Sequence, residues 1–173
     1  MIRLTLPLTA EQIENLHAGD SVLLSGTVHT ARDAAHKRLV AMIEASQPLP
    51  FDIKNAAIYY AGPCPAKPGR VFGSCGPTTS GRMDAFAPLL FNLGLQCTIG
   101  KGPVGPDVAA SIKKNHAVYF CATGGAGALI SKCVQSAQVV AFEELGAEAI
   151  NKLEVVDFPV IVGIDAHGNS IVK

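Results

Sequence analysis

The chain has 173 residues, and its 14 basic and 14 acidic side chains cancel, with three Tyr and no Trp. A neutral chain without a basic, aromatic-interleaved stripe is not built to bind nucleic acid through bulk electrostatics, and no apolar run approaches the roughly 18 residues of a membrane span. Hydrophobic residues make up 49% and charged residues 16%, below the roughly 25% charged share of soluble domains, so either a partner covers part of the surface or a large Ala- and Gly-rich sheet is buried.

The opening "MIRLTLPLTAEQ" lacks the apolar core and small-residue cleavage site of a signal peptide. The expectation is a cytoplasmic protein, residues 1–173 forming one domain. "RLTLPL" and "SVLLSGTV" read as strands. From Ala31 a helix is expected to about Ser46, with Ala35, Leu39, Met42 and Ile43 on one stripe. Pro48 and Pro50 end it. "AAIYYAG" (56–62) is a strand, and "PCPAKPG" (63–69) a turn-rich connection. A helix is expected from about Gly81 to Leu93, stopped by Gly94. "LQCTIGKG" reads as a strand, "PDVAASIKKN" as a helix with Pro106 in its first turn, and "AVYFCATGG" as a strand entering a glycine loop. "AQVVAFEEL" reads as a strand, "EAINKLEV" as a short helix and "PVIVGID" as a closing strand. Alternating strands and helices give an α/β class with a mixed sheet.

Three segments carry chemistry. In "HTARDAAHKRL" (29–39), Thr30 and Asp33 have the spacing of a capping box, which puts Arg32 in the first helical turn, against the helix dipole. Steps of three and four from Arg32 lead down the apolar stripe, so its guanidinium is expected at the mouth of the core, facing either a ligand carboxylate or an internal partner such as Asp52 or Asp84. In "GPTTSGRMD" (76–84), the hydroxyls of Thr78, Thr79 and Ser80 precede Arg82 at an expected helix start. Free N–H groups, hydroxyls and a guanidinium make an anion site there, and the rival reading is a plain N-cap at Thr79 or Ser80. "GKGPVGP" (100–106) adds Lys101 between glycines at a strand end. If the three connections open on one end of the sheet, Arg32, Arg82 and Lys101 can hold both ends of a dicarboxylate.

Other chemistries lack their residues. "TGGAGA" (123–128) follows a strand but has Ile130 where the last glycine of a dinucleotide fingerprint belongs. The five cysteines form no Cys-x-x-Cys pair, which fits buried thiols in a reducing compartment better than a metal site. The histidines show no H-x-H or H-E-x-x-H spacing, and no Ser-His-Asp or Cys-His order stands out. His36, one turn beyond Arg32, is either a site residue or a packed histidine. The chain reads as an anion binder short of catalytic machinery, which points to a partner or to a non-catalytic regulatory module.

"GPTTSGRMD", with "HTARDAAHKR" and "YYAGP" (59–63) before it and "GKG" (100–102) after it, resembles the class I fumarases. More narrowly it resembles the β subunit, or C-terminal domain, of the iron–sulfur fumarate hydratase and L(+)-tartrate dehydratase group. The resemblance implies a swivelling β/α domain with a mixed sheet, docked on a larger α subunit in an α2β2 heterotetramer. It implies that the α subunit, not this chain, carries the cysteines of a four-iron, four-sulfur cluster. It assigns Arg32, Arg82 and Lys101, with Thr79, to binding a small dicarboxylate, and Thr78 to removing the proton beside the carboxylate. The activity implied is hydration of fumarate to (S)-malate, with L(+)-tartrate dehydration as the alternative.

Overall fold

The computed structural model describes residues 1–173. In chain order its main elements are β1 (Ile2–Thr5), α1 (Ala10–Glu14), β2 (Ser21–Thr30), α2 (Asp33–Glu44), β3 (Ala57–Tyr59), α3 (Ala87–Asn92), β4 (Cys97–Gly100), α4 (Pro106–Lys114), β5 (Val118–Cys121), α5 (Gly127–Ile130), β6 (Val134–Ala141) and β7 (Ile150–Ile164). The seven strands form one mixed sheet in the order β1-β2-β3-β4-β5-β7-β6, and β2 also pairs with β7. That extra pairing closes β2, β3, β4, β5 and β7 into a ring, with β1 and β6 attached to the two long strands. The α/β class with a mixed sheet, expected from the sequence, is what is found.

The short central strands are apolar on both faces, as parallel strands between two packed layers must be. Side chains alternate sides along a strand, and the two cores divide accordingly. Ala57, Tyr59, Cys97, Ile99, Val118 and Phe120 point into the ring, where they meet Leu24, Val28, Leu153, Val155 and Phe158. Ile58, Tyr60 and Tyr119 point outward and are covered by Ala35 and Leu39 of α2, Leu90 and Phe91 of α3, and Val108 and Ile112 of α4.

Three expectations need correction. "EAINKLEV" is not a helix: Glu148 ends a 3-10 turn, Glu143–Glu148, and from Ile150 the segment is the first part of β7, a 15-residue strand. Ile150 and Leu153 have helical spacing, but buried and open residues alternate over Lys152–Val156 and, after a one-residue slip, over Phe158–Val162, and β2, β5 and β6 all supply backbone partners. Pro159 is tolerated there because it faces Leu23 of β2 in the stretch between the β6 and β5 pairings. The helix expected over 81–93 is broken into a 3-10 turn, Ser80–Met83, and α3. Pro88 lacks the N–H and crowds the preceding turn, so the α-helix can begin only at Ala87 with Pro88 in its first turn. Finally, α1 is an addition: Thr9 and Gln12 form a reciprocal capping box at its start.

Candidate active site

The strands β2, β3, β4 and β5 run parallel, with Thr30 opposite Tyr59, Tyr59 opposite Ile99 and Ile99 opposite Phe120. Their carboxyl ends are therefore level, and the connections that leave them open on one mouth of the ring. Ligands of parallel α/β sheets gather at this end. Arg32 follows β2, Gly62 follows β3, Lys101 follows β4 and the glycine loop 123–127 follows β5. The segment 77–80 is laid across the same end. Pro77 bridges Ala61, Thr79 bridges Lys101, the Thr78 N–H donates to the Tyr60 carbonyl at 2.7 Å and the Ser80 N–H to the Lys101 carbonyl at 3.0 Å. Arg32, Thr78, Thr79, Arg82 and Lys101 thus share one mouth, and none of the main surface cavities includes them.

The two arginines meet through a residue the sequence marked only as a cap. Arg82 Nε donates to Asp33 Oδ1 at 2.9 Å, and Arg32 Nε lies 3.8 Å from Asp33 Oδ2 and 3.9 Å from Glu148 Oε1. Those last two separations are ion pairs without hydrogen bonds, and Arg32 Nε and Asp33 Oδ2 are buried without a hydrogen-bond partner. Burial pushes the Asp33 carboxyl up, but its own backbone N–H and the two guanidiniums outweigh that and leave it below its ordinary value. Asp52 and Asp84, the internal partners considered from the sequence, are engaged elsewhere: Asp52 accepts from the Lys54 N–H and Asp84 from the Gly105 N–H. The Arg32 side chain lies over Gly62, where a Cβ would stand 3.0 Å from its Cδ and 2.7 Å from the Ala147 carbonyl.

The capping expectations also change. Thr30 is the last residue of β2 and accepts from the Asn151 N–H. Arg32 itself is the N-cap of α2 and makes no side-chain cap bond; Glu148 reaches across to accept from the Ala34 N–H at 3.2 Å. Thr79 is the N-cap of the 3-10 turn, yet its side chain caps nothing. The N-cap reading therefore does not account for its hydroxyl.

Lys101 belongs to no ion pair, and its side chain runs alongside Gly124. Its backbone is fixed from beneath by a relay of buried groups. The Lys101 N–H donates to Ser80 Oγ at 3.0 Å, Ser80 Oγ contacts Tyr119 Oη at 2.8 Å, and Tyr119 Oη donates to the Gly102 carbonyl at 2.8 Å. Only a residue without a Cβ fits at position 100, since a Cβ there would fall 2.0 Å from Ser80 Oγ. Asp84 closes the motif by fastening the far end of the loop at Gly105. Asp33, Tyr119 and Gly100 are thus components the sequence reading did not assign to the site, and Ser80, expected there as an anion-binding hydroxyl, is instead buried and bonded to Tyr119 and the Lys101 N–H; the Ser80–Lys101 link spans 21 residues and leaves no local signal.

His36 is a packed residue. It is fully buried, edge-on to Tyr60 at 5.4 Å, and its Nδ1 must carry the proton because its 2.8 Å partner is the Arg32 carbonyl. Nε2 is buried without a partner, so a second proton there would be an unmatched charge. His29 stacks on Phe51 at 3.9 Å. Burial is the leading cause that lowers both rings from 6.5 to about 4. Between pH 6.5 and 4 the unfolded chain takes up protons that the folded chain refuses, so stability falls as pH drops through that window and levels off below it. For His36 the full loss is roughly 3 kcal/mol. Thermal midpoints measured from pH 7 to 4 will show this decline, and the His29→Gln/His36→Gln variant will flatten it; an equal decline in that variant would place the protons elsewhere.

Cys75 and Cys97 are buried on the inner face with thiols pushed up to about 12 by burial, and no three His, Cys, Asp or Glu side chains converge. Of the glycines of "TGGAGA", Gly127 serves chain packing, since a Cβ there would lie 2.7 Å from the Gly76 nitrogen, and Gly125 supplies a turn at φ 78°. No helix is long and apolar enough to cross a membrane.

The Fumarase C-terminus family model matches residues 1–173. The chain belongs to this family. It is 39% identical over 170 residues to a putative L(+)-tartrate dehydratase subunit beta of Methanocaldococcus jannaschii, covering 95% of this chain and 87% of that one. It is 36% identical over 174 residues to the L(+)-tartrate dehydratase subunit beta of Escherichia coli K12, covering 98% and 85%. Against Fumarate hydratase 2 of Leishmania major it is 38% identical over 163 residues, which are 93% of this chain but 29% of that one. Fumarase C-terminus chains therefore include both near-complete subunits of this size and segments of much longer proteins.

Proposed function

We propose that this chain is the β component of a hydro-lyase acting on a four-carbon dicarboxylate, interconverting fumarate and (S)-malate with a larger partner chain. The observation that carries the reading is the gathering of Arg32, Arg82 and Lys101 around Thr78 and Thr79 at one mouth of the ring. In the dehydration direction a proton leaves the carbon beside a carboxylate while hydroxide leaves the next carbon. Fixed cations on that carboxylate stabilise the charge that accumulates as the proton departs. Thr78 is the residue assigned to take that proton. A threonine hydroxyl is a weak base near neutral pH and needs an acid–base neighbour. The partner supplies it. The partner also holds the four-iron, four-sulfur cluster implied by the resemblance, since the thiols of this chain are dispersed.

Names of relatives support the partner. Those that this chain covers at 85–87% are subunits named beta, whereas it spans only 29% of the fumarate hydratases it matches. The same coverage favours L(+)-tartrate as a second substrate reading. Mixing this chain with a cluster-bearing partner and iron without oxygen, then assaying fumarate hydration and L(+)-tartrate dehydration side by side, tests both. Turnover of fumarate at the higher kcat/KM is the expected result. Turnover of tartrate alone moves the assignment to the second reading, and inactivity toward both with an assembled complex ends the hydro-lyase reading.

A further inference from the structure

We propose that the chain carries a second anion site, built by Lys67, Arg70 and Lys132, for a compact ligand bearing a phosphate or clustered carboxylates. A cavity of about 360 Å³ opens between the 63–74 connection and the 3-10 turn Ser131–Cys133. Its ten lining residues include the apolar Phe72, the hydroxyls of Ser74 and Ser131 and the three cations, and no acidic residue. None of these cations belongs to an ion pair. Three like charges around one concavity, with nothing to neutralise them, raise the local concentration of anions.

The arrangement is written into the local sequence. Lys67-Pro68-Gly69-Arg70 is a β-turn in which the Arg70 N–H donates to the Lys67 carbonyl at 3.0 Å, with Pro in the second position and Gly69 at φ 77° in the third. This is the type II pattern, preset by proline and permitted by glycine, and it brings the first and fourth residues close together. Lys132 comes from a separate segment, the 3-10 turn Ser131–Cys133. The volume lies near the lower end of small-molecule sites, so the occupant is small. None of Arg32, Thr78, Thr79, Arg82 and Lys101 lines the cavity. The wall nevertheless leads to them: the Ser74 carbonyl accepts from the Cys64 N–H at 2.9 Å, the Cys75 N–H donates to the Gly127 carbonyl at 3.2 Å, and Thr78 follows four residues after Ser74.

Calorimetric titration of the full chain at low ionic strength, with inorganic phosphate in one arm and citrate in the other, tests the site and separates the two ligand chemistries. One of the probes will bind at a site distinct from the mouth held by Arg32, Arg82 and Lys101, and Lys67→Gln/Arg70→Gln/Lys132→Gln will weaken that binding about 10- to 100-fold. The three residues are exposed, so the variant keeps the wild-type thermal midpoint, and Arg32→Met/Arg82→Met will leave the affinity unchanged. Binding of neither probe overturns the proposal. So does equal affinity in the triple variant, or a loss confined to Arg32→Met/Arg82→Met. If neither probe binds and the triple variant instead weakens docking of the partner chain, the cavity is a protein contact and the small-anion site is refuted. The titrations read binding to this chain alone, so their outcome is independent of the hydro-lyase reading.

Discussion

Arg82→Met will raise the KM for fumarate about 10- to 100-fold in the assembled enzyme, with a smaller change in kcat. A hydrogen bond to a charged group contributes about 1.5–3 kcal/mol, and a carboxylate held by one guanidinium fewer forfeits roughly that. Arg82 is half exposed, with 51% of its side-chain surface open, and the partner of its guanidinium is Asp33. The rival explanation is that Arg82 only braces Asp33. In that case its removal would cost stability, at most about 1 kcal/mol for a pair this exposed, and the KM would not move. Steady-state kinetics together with a thermal midpoint separate the two. Arg82→Lys sharpens the comparison, because it keeps the charge but loses the planar fork that engages a carboxylate with two parallel bonds. Recovery of only part of the affinity by lysine supports the clamp, and an unaltered KM in Arg82→Met removes it.

Asp33 gives this prediction a second edge. In the free chain one carboxylate already stands between Arg32 and Arg82, and Asp33 Oδ2 and Arg32 Nε, an ion pair at 3.8 Å without a hydrogen bond, mark the looser side of that arrangement. A substrate carboxylate entering there meets cations already oriented by Asp33, with part of the ordering cost met before binding. Lys101 is oriented differently, through its backbone: Ser80 and Tyr119 fix residues 101 and 102 from below, while the side chain stays free of any carboxylate.

Much of this was legible because it is local. The strands at 56–62 and 117–121 announce themselves by β-branched and aromatic residues between turn residues, and Pro106 sets the start of α4 where a proline is welcome. The cations stood out because "HTARD" and "TTSGR" each place an arginine beside hydroxyls at an element start. What was not legible depends on neighbours distant in sequence. "EAINKLEV" has the charge spacing of a helix, and only the pairing of β7 with three strands decides against it. Asp33 looked like a cap because its partner Arg82 lies 49 residues away. Gly100 gave no local hint of its constraint, which comes from a serine 20 residues earlier in the chain occupying the space of its missing Cβ. Two signals were local and went unread: the Thr9–Gln12 capping box and the proline at 88 that splits the expected helix.

Thr78→Val carries the largest effect expected, a fall in kcat of about 10²- to 10⁴-fold, the usual contribution of a positioned proton-transfer group. The substitution exchanges a hydroxyl for a methyl on the same branched skeleton, so the backbone preference is kept. Position is also kept, because Thr78 is fastened by main-chain atoms: its N–H bonds the Tyr60 carbonyl, and its neighbours Pro77 and Thr79 bridge Ala61 and Lys101. A loss of turnover can then be attributed to the hydroxyl and not to a displaced loop, and KM should change little, since the cations that bind the carboxylates are untouched. Thr79→Val is the internal control. Thr79 is exposed and Thr78 half-buried, so the two adjacent hydroxyls are differently placed toward the substrate, and a change at Thr79 is expected mainly in KM. If Thr79→Val instead gives the larger fall in kcat while Thr78→Val turns over normally, the proton is taken one residue further along. If both variants keep full turnover, the base belongs wholly to the partner, and the hydroxyls at this mouth serve only to hold the anion.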